Sequence, residues 1–317
     1  MKTIVLFLIL LTLITTLTAA QTPDSLLNAA ATENANGYYL KAIRIYDKLI
    51  ALKGDSAKYF FLRGQDQSII KNNKAALADY SKALEINNQY FDAYISRGIL
   101  YYSITEPEKS INDYNTALRY IQSNESLKGF IYNNRGAAKA MRKDLQGAYA
   151  DYLEAYKLDN TSTAALENLG NVLILMDRGE EAMIFLRQLI TFSPNHINAR
   201  NQLGYTELKL NHFEEAVNQF DEALKLDPNQ AMTLNNRSLA KFNLLDYTAA
   251  LDDVNKAIEL SPQNAYSFRN RALIRFAAAS PESGCADLLI AVRLGYIEKY
   301  GKDARDLYNQ NCGEAKF

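Results

Sequence analysis

The sequence predicts an all-α chain, a right-handed superhelical solenoid of helix-turn-helix repeats, and three observations predict it. A pair of landmarks recurs at fixed spacing: Arg63-Gly64, Arg97-Gly98, Arg135-Gly136, Leu169-Gly170, Leu203-Gly204, Arg237-Ser238 and Arg271-Ala272 lie 34 residues apart, with one interval of 38. Small residues follow twelve and nineteen positions after the second landmark, as at Ala76 and Ala83 or Ala216 and Ala223, where two helices must approach closely. Apolar residues recur at i, i+3, i+4 and i+7, as in FEEAVNQFDEALKLDPN, which gives each helix one apolar face. A hairpin of this kind cannot bury its face alone, so neighbours stack.

The chain opens on MKTIVLFLILLTLITTLTAAQT: one Lys2, an apolar run from Ile4 to Leu17, then small residues before Gln21. This is the pattern of a secretory signal peptide, residues 1–20, and the run is shorter than the roughly 20 residues a spanning helix needs. The remainder is expected to be exported and soluble, periplasmic or extracellular, with no membrane insertion after cleavage. Residues 21–56 fit the repeat frame, with Ala42 and Tyr46 in register but no glycine at the landmark, and read as a degenerate first hairpin. Seven repeats fill 57–296. Pro107 and Pro281 stand where second helices begin, a place that needs no N–H. The longer interval reflects four extra residues near Gln122 to Phe130, expected to put a local jog in the stack. Residues 297–317 read as a capping helix, about Lys299 to Tyr308, and a tail.

In the seventh place of the repeats stand Arg63, Arg97, Arg135, Leu169, Leu203, Arg237 and Arg271. Sixteen residues later stand Asp79, Asp113, Asp151, Phe185, Gln219, Asp253 and Asp287. Asp appears only where Arg does, which predicts a partly buried, bidentate ion pair between the two helices of each such hairpin. The arginines are poorly placed as an anion-binding row, since each already has its own carboxylate.

Composition removes several function classes. Lys and Arg number 35 against 36 Asp and Glu, leaving no basic surplus for a phosphate backbone, so no nucleic-acid partner is expected. His196 and His212 have no second His or Cys at ligand spacing, and no nucleophile-elbow, phosphate-loop or dinucleotide motif occurs. No metal, cofactor or enzymatic activity is expected. Both cysteines, Cys285 and Cys312, fall at the end of the chain. A disulfide there would fasten the cap, the loop closure contributing roughly 3.5 kcal/mol in a chain-entropy account. The alternatives are two free thiols or a metal pair.

These residues carry a resemblance to the tetratricopeptide repeat. The small residues, the aromatic four places after the first Ala (Tyr80, Tyr114, Tyr152, Phe220) and the closing Pro194, Pro228 and Pro262 fit its pattern over about 57–296. HFEEAVNQFDEALKLDPN fits most fully, whereas Leu186 and Val254 depart from it. The ending GCADLLIAVRLGY, then a helix and a Cys, resembles that of exported bacterial members with a cysteine-containing cap. The resemblance implies that first helices line a concave groove through their second, fifth, sixth, ninth, twelfth and thirteenth places. The sixth place carries a side-chain amide in five consecutive repeats: Asn134, Asn168, Gln202, Asn236 and Asn270. Such a ladder offers donors and acceptors to the backbone of an extended peptide. Equally, the amides could bond the neighbouring helix and hold the stack. Asn171, Asn201 and Asn235, with Asn133 and Arg269, keep the groove polar; Tyr205, Tyr102, Phe130, Phe242 and Phe276 are walls or packing. Asn236 looks like the middle member of the family's carboxylate clamp, but Asn201 and Tyr205 before it and Tyr266 and Asn270 after it do not complete one. The expectation is a non-catalytic adaptor that binds a protein or peptide in its groove, with an envelope or secretion complex as one setting. The alternative is an assembly factor that works through its convex face and edges.

Overall fold

The computed structural model describes residues 22–313; the predicted signal peptide, 1–20, lies outside them. All regular structure among the described residues is helical. The chain falls into two compact units, the first ending at Asp151 and the second beginning at Tyr152.

In the first unit, α1 (Pro23–Ala35) pairs with α2 (Tyr39–Leu52), α3 (Ala57–Ile69) with α4 (Asn73–Ile86), and α5 (Phe91–Ser103) with α6 (Pro107–Tyr120). Helix α7 (Glu125–Met141) follows, and α8 (Leu145–Leu158) begins before the boundary. The first helices α1, α3 and α5 have 13 residues and α7 has 17. The four extra residues are therefore one added helical turn, started by Asn124, whose side chain accepts the Leu127 N–H at 3.0 Å. The insertion lengthens the helix at its start, because four residues nearly complete a 3.6-residue turn.

The second unit pairs α9 (Thr163–Leu175) with α10 (Gly179–Phe192) and α11 (Ile197–Lys209) with α12 (Phe213–Leu226). It continues with α13 (Ala231–Asn243) and α14 (Tyr247–Leu260), then α15 (Ala265–Ala277) and α16 (Pro281–Arg293). Small residues admit large ones between paired helices. At Gly204 a Cβ would stand 2.8 Å from the Phe220 ring, so the glycine is what lets the fully buried ring in. Where the landmark is Ser238, its opposite number is the smaller Val254, which accounts for that departure from the aromatic pattern.

Every first helix ends the same way. Gly37, Lys71, Thr105, Lys143, Asp177, Asn211, Leu245 and Ala279 all have φ between 55° and 77°. In the α3–α4 turn the Asn72 N–H donates to Gln67 O at 2.8 Å and the Lys71 N–H to Ser68 O at 3.0 Å, the paired bonds of a Schellman ending, and the other turns repeat them. Only the first of these eight positions is glycine.

The expected single capping helix is two: α17 (Tyr296–Tyr300) and α18 (Asp303–Cys312). Gly301, at φ 102°, breaks the run, since no side-chain-bearing residue adopts that backbone cheaply. Tyr296 and Ala304 are buried against Phe268, Ala272 and Leu288, covering the last hairpin. Cys285 on α16 and Cys312 at the end of α18 are disulfide-paired, with Cα atoms 5.8 Å apart.

Candidate functional site

The predicted ion pairs form a repeated device. Nε and Nη2 of Arg63, Arg97, Arg135, Arg237 and Arg271 donate to the two carboxylate oxygens of Asp79, Asp113, Asp151, Asp253 and Asp287 at 2.5–2.9 Å. These carboxylates are nearly fully buried. The remaining nitrogen, Nη1, reaches the second helix of the preceding hairpin, at Asp47, Ser81, Asn115, Asp221 and Asn255 respectively. Each guanidinium thus closes its own hairpin and ties it to its neighbour, and none is left to receive an anion. Sequence reasoning missed the third partner, because its residue type varies among Asp, Ser and Asn. Burial holds the Asp113 carboxyl above the usual carboxylate range even though Arg97 pulls it down.

The second unit carries a groove of about 640 Å3 along one face of its four first helices. Helix α9 contributes Asn171, Ile174 and Leu175; α11 contributes Asn201, Gln202 and Tyr205. Helix α13 contributes Met232, Thr233, Asn235 and Asn236, and Asn264 and Tyr266 come from the start of α15. Six residues named from the sequence meet here: Asn171, Asn201, Gln202, Tyr205, Asn235 and Asn236. Ile174, Leu175 and Met232 were not named, and Tyr266 was named only as a place that does not complete a clamp, although the twelfth, thirteenth and second places of the frame point to them.

The amides divide into two groups. Gln202 donates to Asn171 Oδ1, Asn270 Nδ2 donates to Asn235 Oδ1 at 3.1 Å, and Asn201 accepts from Thr233 Oγ1 at 2.9 Å while donating to Gln230 Oε1. These bonds run between consecutive first helices and hold the stack. Asn270 is fully buried, so it lies beneath the groove rather than on its surface. Asn168 is half-buried and does not line the groove. Asn134, in the first unit, is spent on the carbonyl of Phe130 in its own helix at 2.8 Å. Asn236 has no side-chain partner among the described residues, and the Asn171 amide nitrogen is likewise unspent. Gln202 Oε1 is buried with no donor.

Of the other aromatics, Phe242 packs on Tyr247 with ring centroids 5.9 Å apart, and Phe276 joins the core beneath the cap, so both are packing residues. Tyr102 and Phe130 stay exposed in the first unit. Asn133 is half-buried there. Arg269 pairs with Asp303 of the cap at 2.9 Å, and Tyr266, at the groove's end, stacks on Tyr296 of the cap at 6.3 Å. The cap therefore buttresses the groove's last wall. His196 and His212 sit at helix starts, where His196 Nδ1 accepts the Ala199 N–H at 3.2 Å. A larger surface bay, about 1160 Å3, opens beside residues 119–128 of the first unit and includes Arg119, Glu125 and Lys128 but none of the predicted groove residues. Among the described residues no helix is long and apolar enough to cross a membrane, and no three His, Cys, Asp or Glu side chains are grouped to hold a metal ion.

Residues 201–265 match the profile of the tetratricopeptide repeat family. Among curated proteins, anaphase-promoting complex subunit 3 of Schizosaccharomyces pombe is 24% identical over 167 residues; the match covers 52% of this chain and 24% of that protein, so the chain spans only a minor part of its length. A tetratricopeptide repeat protein from Parabacteroides merdae superposes with a TM-score of 0.60 at 17% identity, over 79% of this chain and 98% of that one. The APC/C hetero-tetramer Cut9-Hcn1 superposes at 0.56 and 16% identity, over 91% and 56% of the respective chains. The protein described as pilF of Pseudomonas aeruginosa superposes at 0.56 and 20% identity, over 68% and 97%. At these identities the likeness is one of fold.

Proposed function

We propose that this chain, whose residues 201–265 match the tetratricopeptide repeat family, is a non-catalytic interaction scaffold that docks an extended segment of a partner protein in the groove of its second unit. The observation that carries the reading is the groove itself. One face of four consecutive first helices leaves large apolar side chains open to solvent beside an amide, Asn236, with no side-chain partner among the described residues. An extended segment brings unspent backbone donors and acceptors that such an amide can meet. The repeat fold suits this role, and assembly is also the setting of two relatives: one is a subunit of the anaphase-promoting complex and the other forms a hetero-tetramer.

We further propose that the protein works outside the cytosol, at the cell envelope. The apolar run Ile4 to Leu17 ahead of small residues supports export. The disulfide-paired cap suits an oxidising compartment.

The test is capture from an envelope extract by the chain from residue 21 onward, beside a variant carrying Met232→Glu and Asn236→Ala whose melting curve matches the unaltered protein. Partners lost with the variant support groove docking. Partners retained in full overturn it in favour of the assembly factor that works through its convex face and edges. One observation favours that second reading: the Gln202 to Asn171 and Asn270 to Asn235 bonds show that part of the ladder holds hairpins together.

A further inference from the structure

The groove's lining also bears on which segment it takes. None of its lining residues is charged. The nearest ionic side chains stand outside that lining: Arg269 is held by Asp303, Glu167 lies 3.7 Å from His196, and Lys209 Nζ lies 5.9 Å from the Tyr205 ring centroid. A charge brought against the lining residues would lose water and find no counter-charge among them, a cost that grows with burial. The corresponding second places in the first unit include Lys58 and Asp92, whereas those of the second unit are Ala164, Asn198, Met232 and Tyr266. Charge has thus left this position where the groove forms.

What replaces charge is apolar surface. Met232 is 74% exposed and Leu175 67%, with Tyr205 also exposed, so water wets side chains that elsewhere in the chain build core. Each would gain on burial by a ligand in proportion to the apolar area taken from water. Met adapts its shape to its neighbour, which makes the wall tolerant of which apolar side chain it meets. The unspent groups of Asn236 and Asn171 match bare peptide N–H and C=O rather than a helix, whose backbone groups are already paired.

Resting on the docking role above, we propose that the partner segment is an uncharged, apolar-rich internal stretch of polypeptide bound in extended form, with neither a chain terminus nor a charged motif recognised.

The experiment uses fluorescence anisotropy with the oxidised chain from residue 21 onward. The probe is a labelled nonapeptide, acetylated and amidated, that alternates Leu and Met with Ser and Thr. Companion probes replace two Ser by Glu, replace two Ser by Lys, or leave the C-terminal carboxylate free. The neutral probe should bind, and both charged versions should bind about tenfold more weakly or worse. The free carboxylate should add nothing, and affinity should stay flat between about 50 and 500 mM salt, because no ionic contact is there to be screened. Met232→Leu should keep binding, Met232→Glu should lose the neutral probe, and Met232→Glu should now prefer the Lys version. Tighter binding of a charged or free-carboxylate probe by the unaltered chain overturns the inference and leaves groove docking standing. Absence of binding by every probe, or groove-dependent self-association seen by sedimentation, also overturns it. Groove docking itself falls only if the envelope capture is indifferent to Met232→Glu with Asn236→Ala.

Discussion

Five hairpins of this chain close on an arginine fork and two close on apolar contacts, and the contrast separates two ways of solving one packing problem. In α5–α6, Arg97 grips Asp113 with two hydrogen bonds and uses its third nitrogen on Ser81 of the preceding hairpin. In α9–α10 and α11–α12 the same place holds Leu169 and Leu203, both buried, with no carboxylate opposite. Both solutions stack, so the fork is not required for the fold. It adds directionality, since a guanidinium fixes angles as well as distance. A third case sharpens the contrast. Asp66 on α3 is 0% exposed yet has no arginine: Asn34 of α1 donates to one oxygen, and the other has no partner.

The largest expected effect comes from breaking a fork on one side. Asp113→Ala should strand Arg97 and lower stability by about 3 kcal/mol in urea denaturation, while Arg97→Leu with Asp113→Ala should recover most of that loss. Equal losses in the two variants would show that the pair does not hold the hairpin.

Asp66 gives the next effect, and it depends on pH. Burial raises its pKa to about 6 from the usual 3.8, against the pull of the Asn34 amide. The folded state therefore holds this proton more tightly than the unfolded chain does. The contribution of Asp66 to stability is full below about pH 4 and is lost as pH rises through about 6. The phenols of Tyr46 and Tyr80 face it, both pushed up to about 12, and Glu33 stands beside Asn34 on α1; none supplies a counter-charge. Asp66→Asn should raise the melting temperature by a few degrees at pH 8, by about half as much at pH 5, and change it little below about pH 4. A variant whose melting curve keeps the original pH dependence would remove Asp66 as its source.

The smallest effect comes from installing a fork where there is none. Leu203→Arg with Gln219→Asp should shift stability by less than about 1 kcal/mol, because the gain of a buried ion pair is offset by its desolvation and by the lost packing of Leu203. The residue in the third-partner place is Arg187, which is already committed to Glu207 at 2.9 Å and would repel the new guanidinium. A gain above that bound by calorimetry would mean that the fork stabilises wherever it is placed.

Much of this was legible in the sequence, and the parts that were not share a physical reason. The hairpins and the Arg–Asp pairs follow from spacing, because each depends on residue types recurring in register; the disulfide was one of three readings of the two cysteines, beside free thiols and a metal pair. The left-handed turns left no mark, since Lys71, Thr105, Asp177 and Leu245 have no chemistry in common; the two flanking helices impose the conformation on whichever residue falls there. In the amide ladder the sequence gives the amides but not their bonds. Asn236 and Asn270 occupy the same place in the frame, yet one faces solvent unpaired and the other is buried against Asn235. Asp66 was visible in principle, as a carboxylate at a place where the other repeats carry Leu100, Ala138, Val172, Thr206, Ala240 and Ile274.

The added turn at the start of α7 sets a unit in which this architecture can be lengthened. Growth by one helical turn ahead of a first helix brings the linker in on the same side of the helix, whereas growth by one or two residues would move that entry point around the axis. The leading ends of first helices are thus natural grafting points. A tag four residues long placed there would ride outward on an extra turn while the Arg135 fork behind it keeps its register.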